Sequence, residues 1–138
     1  MKLKDRISLI VTGFVIWAAG TLVYRMAGSY FFEGSAIEYW TNVIITAILY
    51  CAVFFGLMKW RRIEPTNWLQ GAVYIALPGM LCEVPILSFF SELMMNMQPE
   101  TAGRYGAFLF WGYTSLISFA LFISSKAGTS HTTDQHAT

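Results

Sequence analysis

The sequence predicts an all-α integral membrane protein, a bundle of four transmembrane helices with both termini in the cytoplasm. Hydrophobic residues make up 56% of the 138 residues and charged residues only 12%, which is about half the charged share of an average soluble domain. The apolar residues are gathered into four long runs, each long enough or nearly long enough to cross a bilayer. The lysines and arginines lie mainly in the segments that flank these runs, and their distribution indicates the orientation.

The first two helices are predicted at about residues 7–27 and 39–58. The first run follows a basic start and is uncharged from Ile7 to Tyr24, and the second is uncharged from Tyr39 to Met58. Crossing the hydrocarbon core takes about 20 apolar residues in a helix. Because lipid cannot satisfy backbone polar groups, runs this apolar are predicted to be helices rather than irregular chain.

The third helix is predicted at about residues 68–90, and its start is marked by Pro65, a residue that suits a first helical turn. A single charge, Glu83, interrupts the apolar run. Pro78 and Pro85 each remove a hydrogen bond from the helical ladder, so we expect a bend near Glu83.

The fourth helix is predicted at about residues 105–125, another run without charge. Residues 1–125 therefore form one four-helix transmembrane domain. The remaining residues, 126–138, are polar and aperiodic, which predicts a disordered cytoplasmic tail.

Positive charges predict the orientation. Bacterial and other membrane proteins retain lysine and arginine in their cytoplasmic loops. Two of the nine basic residues, Arg25 and Arg104, fall on one predicted side, and seven fall on the other: Lys2, Lys4, Arg6, Lys59, Arg61, Arg62 and Lys126. This division predicts cytoplasmic termini and a multi-pass location in the bacterial inner membrane.

Several functional classes are disfavoured by composition and motif content. The net charge of +1 provides no electrostatic footprint for nucleic acid. We find no Ser/His/Asp or Cys/His set, no phosphate loop and no metal-ligand cluster, so we expect neither an enzyme nor a bound cofactor. The expected partners are the lipid bilayer and either a second copy of the chain or a larger membrane protein.

Glu83 is the leading candidate for a functional residue, since an ionisable side chain inside a membrane helix is costly and is retained for a role. Ala72, Ala76 and Gly79 share its helix face, which predicts that Glu83 faces another helix. Arg25, near the outer end of the first helix, could pair with Glu83 or could extend outward to the headgroups. In the second case, Glu83 would be left to bind a proton or a cation.

Further polar residues lie at a similar predicted depth. Asn42, Thr46 and Tyr50 form an i, i+4 stripe on the second helix. We expect them to line a cavity that is open, or able to open, to the outside, with Glu83 at its floor. The alternative is hydrogen bonding between helices without a cavity. Trp17, deep in the first helix, is expected to pack between helices, although stacking on a ligand is the alternative.

Two functions therefore remain open. The first is a small transporter or ligand-binding membrane protein that uses Glu83, with Arg25 as its charge partner and Asn42, Thr46 and Tyr50 lining the route. The second is a non-transporting accessory protein that acts by helix packing against a partner.

A family resemblance accompanies these features. It is carried by the segment Arg25 to Gly28, by Leu77 to Leu81 with the acid at Glu83, and by Asn96, Gly106 and Trp111. These residues resemble an uncharacterised bacterial family, domain of unknown function 5367, over about residues 5–124, and Pro78 to Glu83 is the most specific part. The resemblance implies a short four-helix membrane protein without an established activity. The size is also similar to that of small multidrug transporters, but their membrane carboxylate lies in the first helix, so that likeness is one of architecture alone.

Overall fold

The fold consists entirely of helices in the part of the chain that the computed structural model describes, which is the backbone of residues 1–135 and the side chains of residues 1–129. The helices are α1 (Leu3–Phe32), α2 (Ala36–Trp60), α3 (Trp68–Ser88), the short α4 (Phe90–Leu93) and α5 (Ala102–Gln135). Single 3-10 turns, Pro65–Asn67 and Pro99–Thr101, lead into α3 and α5. The predicted all-α class, with four long apolar helices, is confirmed.

The first two helices are joined by a very short link. α1 runs through Phe32, five residues beyond its predicted end, and its helical dihedrals are interrupted at Ala27 (φ −133°, ψ 16°). Ser35 then caps α2: its hydroxyl accepts from the Glu38 backbone N–H, and the Glu38 carboxylate accepts from the Ser35 backbone N–H. This reciprocal cap satisfies two backbone donors and starts α2 at Ala36.

The third long helix ends at Ser88, two residues before its predicted limit. Pro78 and Pro85 both lie inside it. Phe89 leaves the helical region (φ −117°, ψ 40°), and the single turn of α4 follows.

The last helix continues beyond residue 125, so the irregular tail predicted for residues 126–138 is helical as far as Gln135. A helix that has already formed gains one hydrogen bond for each residue added, which favours its extension through polar sequence. The Thr129 hydroxyl donates a hydrogen bond to the Ser125 backbone carbonyl at 2.8 Å and so satisfies one acceptor in this part of the helix. Residues 136–138 lie outside the described residues.

The four long helices pack in the order α1, α3, α5, α2. α1 packs closely on α3, α3 on α5, and α5 on α2, whereas α1 and α2 make few contacts with each other. The closest approach is at Gly13, where an added Cβ would lie 2.8 Å from the Ile75 Cα. The bundle therefore has one tight edge, between α1 and α3, and one loose edge, between α1 and α2.

Two packed clusters lie at opposite ends of the bundle. We call the end with the amino terminus and the α2–α3 turn the basic end, and the end with the α1–α2 and α4–α5 loops the acidic end. The basic-end cluster is built around Leu9, Phe54, Met58 and Trp68, together with α3 and α5 side chains. The acidic-end cluster contains Tyr24, Phe32, Tyr39, Val43, Phe90, Met94, Met97, Tyr105 and Phe108.

The outer surface of the bundle is strongly apolar. The described chain has four helical segments long and apolar enough to cross a membrane: Leu3–Phe32, Ala36–Trp60, Pro65–Ser88 and Pro99–Thr129. Large side chains such as Ile37 (79%) and Ile48 (64%) are exposed on it. Soluble monomers rarely expose extended apolar surface of this kind, so the architecture fits a multi-pass membrane protein.

Candidate functional site

A cavity of about 290 Å³ lies between α1, α2, α3 and α5. This volume is near the lower end of the range for small-molecule sites. Its polar and aromatic side chains gather toward the acidic end and include Trp17, Thr21, Tyr24, Tyr50, Glu83, Tyr105 and Tyr113. Its basic-end half is apolar and is lined by Gly13, Phe54, Leu57, Ile75 and Leu116. The cavity therefore has a polar half and an apolar half.

Glu83 is the acidic group in the lining, and its side chain is only 5% exposed. Its Oε1 accepts a hydrogen bond from the indole Nε1 of Trp17 at 2.9 Å. Its Oε2 is buried and has no hydrogen-bond partner in the described part of the chain. The Trp17 indole has a single N–H group, which can only donate. It therefore satisfies one carboxyl oxygen and leaves the other without a hydrogen-bond donor among the described residues.

Small residues on α3 bring these two side chains together. Ala72, Ala76 and Gly79 are buried on the face that also carries Glu83. A Cβ added at Gly79 would overlap the Tyr113 hydroxyl of α5 and would lie 3.4 Å from the Trp17 Cβ of α1, so the absence of a side chain there makes room for Tyr113 while α1 packs at ordinary contact distance. Glu83 consequently faces the bundle interior, as the spacing of small residues predicts.

Three tyrosines from two other helices line the cavity together with the carboxyl: Tyr50 of α2 and Tyr105 and Tyr113 of α5. The Tyr113 hydroxyl sits directly over Gly79, in the space that a side chain would otherwise fill. The cavity thus combines the carboxyl with aromatic rings, whose faces carry partial negative charge.

Asn42 and Thr46, predicted to line the cavity, lie behind it instead. The Asn42 Oδ1 accepts from the Tyr24 hydroxyl at 3.3 Å and from the Thr46 hydroxyl at 3.2 Å. These bonds orient Tyr24, which does line the cavity. Of the predicted stripe on α2, Tyr50 alone lines the cavity. Thr46 and Asn42 lie about one and two turns closer to the acidic end of α2.

Of the two alternatives left open for Arg25, the pairing with Glu83 does not form. Arg25 is exposed on the surface of α1, and no contact joins it to Glu83 among the described side chains. Residues along a helix are rotated by about 100° per position, so Arg25 lies roughly a quarter turn from the face that carries Trp17 and Tyr24. Trp17, not Arg25, is the partner of Glu83.

The end at which the cavity was predicted to open is covered in the structure. The acidic-end cluster, with Phe32, Tyr105 and Phe108 at its centre, closes the bundle there. Glu83 lies deeper, beside Trp17 at the middle of α1.

Four aromatic residues and one threonine at the site carried a signal that sequence reasoning did not use. Trp17, Thr21 and Tyr24 recur at i, i+4 and i+7, and therefore share one face of α1. Tyr105 and Tyr113 are eight residues apart, close to two turns of α5. Polar and aromatic side chains that repeat along one face of an otherwise apolar helix indicate a site more directly than the charge of Arg25 does.

Metal ligands do not converge at the site: among the side chains that the structure describes, no group of three or more His, Cys, Asp or Glu is placed to hold an ion. Fold and site together define a polytopic four-helix protein of membrane type, with a buried carboxyl in an interhelical cavity. The chain belongs to the family of unknown function DUF5367, whose model matches residues 31–127, which confirms the predicted resemblance. No curated protein and no solved structure matches the chain.

The family match covers only part of the site. Tyr50, Glu83, Tyr105 and Tyr113 fall inside the matched range, whereas Trp17 falls outside it, together with most of α1. The carboxyl and its tyrosines therefore belong to the part of the chain by which the family is recognised.

Proposed function

We propose that the protein spans the bacterial inner membrane with its basic end in the cytoplasm. The four segments of sufficient length and the concentration of lysine and arginine at one end support this orientation. A test uses single cysteines at two exposed positions, Glu64→Cys at the basic end and Glu92→Cys at the acidic end, with Cys51 and Cys82 replaced by alanine. In spheroplasts, a membrane-impermeant maleimide should label position 92 only, and labelling of position 64 would contradict the orientation.

Within this bundle, the protein binds a small molecule, and Glu83 is its principal polar contact. The observation that carries the proposal is the free Oε2 of a carboxyl that is only 5% exposed. An unsatisfied buried polar group costs roughly 1–3 kcal/mol, and more when it is charged. A ligand that bonds to Oε2 would remove this cost, which gives a physical reason for a cavity beside it.

The bound molecule is one that the protein either carries across the bilayer or senses. Carriers commonly hold their substrates near the middle of the membrane, between helices. Trp17 is the fifteenth residue of the 30-residue α1, and Glu83 is bonded to it. The site therefore has the depth that a small transporter requires.

An accessory role, in which the chain acts only by packing against a partner, is the second candidate. The observation that favours it is the Trp17–Glu83 hydrogen bond, which joins α1 to α3 and gives the carboxyl a structural task. Two variants of Glu83 separate the roles. Glu83→Gln retains an oxygen that Trp17 can donate to, whereas Glu83→Ala removes it. If the residue is purely structural, Glu83→Gln should retain function in cells and Glu83→Ala should lose it.

The direct test of binding is a screen of small aromatic probes with ammonium, uncharged and carboxylate groups, scored by thermal stabilisation of the purified protein. The variant Leu109→Trp places a bulky ring in the cavity lining. Its matched control, Leu121→Trp, lies on the same helix at a position that is 51% exposed. We expect at least one probe to stabilise the wild type and the control but not Leu109→Trp. A screen without such a probe would overturn the proposal.

A further inference from the structure

The cavity has its mouth on the side of the bundle, along the loose edge between α1 and α2. Ala19 and Gly20 of α1 and Leu49 and Val53 of α2 all line the cavity. Ala19 is exposed, and Leu49 and Val53 are 55% and 47% exposed. A Cβ added at Gly20 would meet nothing within 4 Å. The lining and the outer surface therefore meet here.

This mouth lies far from both ends of the bundle. Gly20 is the eighteenth residue of the 30-residue α1, and Leu49 is the fourteenth of the 25-residue α2. At about 1.5 Å per residue, both positions are roughly 15 Å or more from the nearer helix end. If the bundle spans a bilayer as proposed above, the mouth faces hydrocarbon, since the core is about 30 Å thick. A molecule that enters here must first dissolve in the lipid.

The polar half of the cavity is complementary to positive charge. No lysine, arginine or histidine is among the residues that line it. A buried carboxylate requires a positive partner or several donors, and within the described chain Glu83 has the single indole donor. The rings of Trp17, Tyr50 and Tyr113 add aromatic faces, which attract cations, ammonium groups above all.

The apolar half accepts an uncharged body. Its lining of Gly13, Phe54, Leu57, Ile75 and Leu116 offers no side-chain polar group. Since a water molecule takes up about 30 Å³ in the liquid, the 290 Å³ cavity has the volume of about ten waters. That volume suits a ligand of roughly ten non-hydrogen atoms.

We propose that the cavity takes small lipophilic cations from the bilayer through the gap between α1 and α2 and holds their charged group at Glu83. This inference rests on the proposed binding function and adds both the ligand class and the route. Hydrophilic ions and sugars are excluded as ligands, because the route crosses hydrocarbon. Anions are excluded by the carboxylate.

The ligand class is tested with two probes of one shape, benzyltrimethylammonium and neopentylbenzene, in which a carbon replaces the nitrogen. Equilibrium binding is measured with the full chain in nanodiscs of zwitterionic lipid. The cation should bind at least about tenfold more tightly than its neutral isostere, as expected for a charge pair with aromatic contacts. Glu83→Gln should remove this preference without weakening the neutral probe.

The outcomes separate the inference from the function on which it rests. Equal binding of the two probes, or an unchanged preference in Glu83→Gln, would overturn the cation inference and leave the binding function in place. If neither probe binds while folding is intact, the cation inference fails, and the wider probe screen described above decides whether the binding function fails with it.

The route is tested with a pair of glycines that both have open space around them. Gly20→Leu places a side chain in the mouth, and the control Gly56→Leu places one on α2 away from the cavity. Cation association, followed by tryptophan fluorescence after rapid mixing, should be slowed several-fold in Gly20→Leu only. An unchanged rate in Gly20→Leu would overturn lateral entry.

Discussion

The two sides of α1 differ in how they use small residues. On the side of α3, Gly13 brings the two backbones into contact beside Ile75, and Trp17 packs over Gly79. On the side of α2, Gly20 has open space in front of it and borders the cavity mouth. The same residue type therefore closes one interface and opens the other. Stability should therefore reside in the α1–α3 interface, and access to the cavity in the α1–α2 gap.

Gly13→Leu should have the largest effect, because it inserts a side chain where backbone meets backbone and neither helix can yield locally. We expect a loss of about 3 kcal/mol or failure to recover folded protein, the upper part of the range for overpacking. Thermal unfolding in detergent measures it, with Gly56→Leu as the control in open space. Equal unfolding temperatures for the two variants would refute a tight α1–α3 interface.

Trp17→Phe should come next, since it retains an aromatic ring but removes the donor to Glu83. The carboxyl would then lose its hydrogen bond from Trp17, and we expect a destabilisation of roughly 1–3 kcal/mol. Trp111→Phe serves as control, because Trp111 is 51% exposed and does not line the cavity. A double-mutant cycle with Glu83→Ala should show coupling between positions 17 and 83, and strict additivity would contradict the contact.

Gly28→Ala should have a smaller effect, although it also lies at a close contact. An added Cβ would lie 2.6 Å from the Met97 Sδ and Cε atoms. The side chain of methionine is flexible and can move aside, so we expect a loss of about 1 kcal/mol or less. A fall in unfolding temperature as large as that of Gly13→Leu would show that the acidic-end cluster is as rigid as the α1–α3 interface.

Gly20→Leu should have the smallest effect on stability. The new side chain meets open space, and glycine in a helix interior is destabilising by roughly 0.5–1 kcal/mol relative to alanine, so the unfolding temperature should remain level or rise slightly. A substantial fall would mean that the α1–α2 gap is filled in the folded protein, and the distinction between the two sides of α1 would be lost.

The four helices and the isolated position of Glu83 within an apolar run could be predicted from the sequence, because both depend on hydropathy alone. A single acid in an apolar run stands out whatever the arrangement of the helices. The small residues on its face also predict correctly that Glu83 points inward.

The partner of Glu83 could not be predicted in this way. Choosing between Arg25 and Trp17 requires the rotation of α1 about its axis, and α1 is apolar on nearly every side, so its pattern does not define a buried face. Charge suggested Arg25, whereas packing brings Trp17 to the carboxyl. The same uncertainty in rotation placed Asn42 and Thr46 in the cavity. They lie behind its wall instead, where the Asn42 Oδ1 accepts from Tyr24, which lines the cavity, and from Thr46.

Three of the four long helices, α1, α2 and α5, were also predicted too short. Their signals are local and polar, and hydropathy does not detect them: the Ser35 cap begins α2 early, and Asn96 holds Ser29 by accepting from its backbone N–H at 3.0 Å and its hydroxyl at 2.8 Å. The cap is a Ser-x-x-Glu pattern that can be recognised in the sequence. The Asn96–Ser29 contact joins distant parts of the chain at the acidic end, and it becomes visible only when the loops are folded.

The most direct measurement is the rate at which a small lipid-soluble carbodiimide modifies Glu83 in nanodiscs, followed by mass spectrometry. The carboxylic acid adds across the reagent and rearranges to a stable acylurea. If Glu83 is reached from the lipid through the α1–α2 gap, the wild type will be modified at Glu83 and Gly20→Leu will react several-fold more slowly. Equal rates in the two proteins, or an unmodified Glu83 beside a modified Glu92 at the surface, would contradict that route.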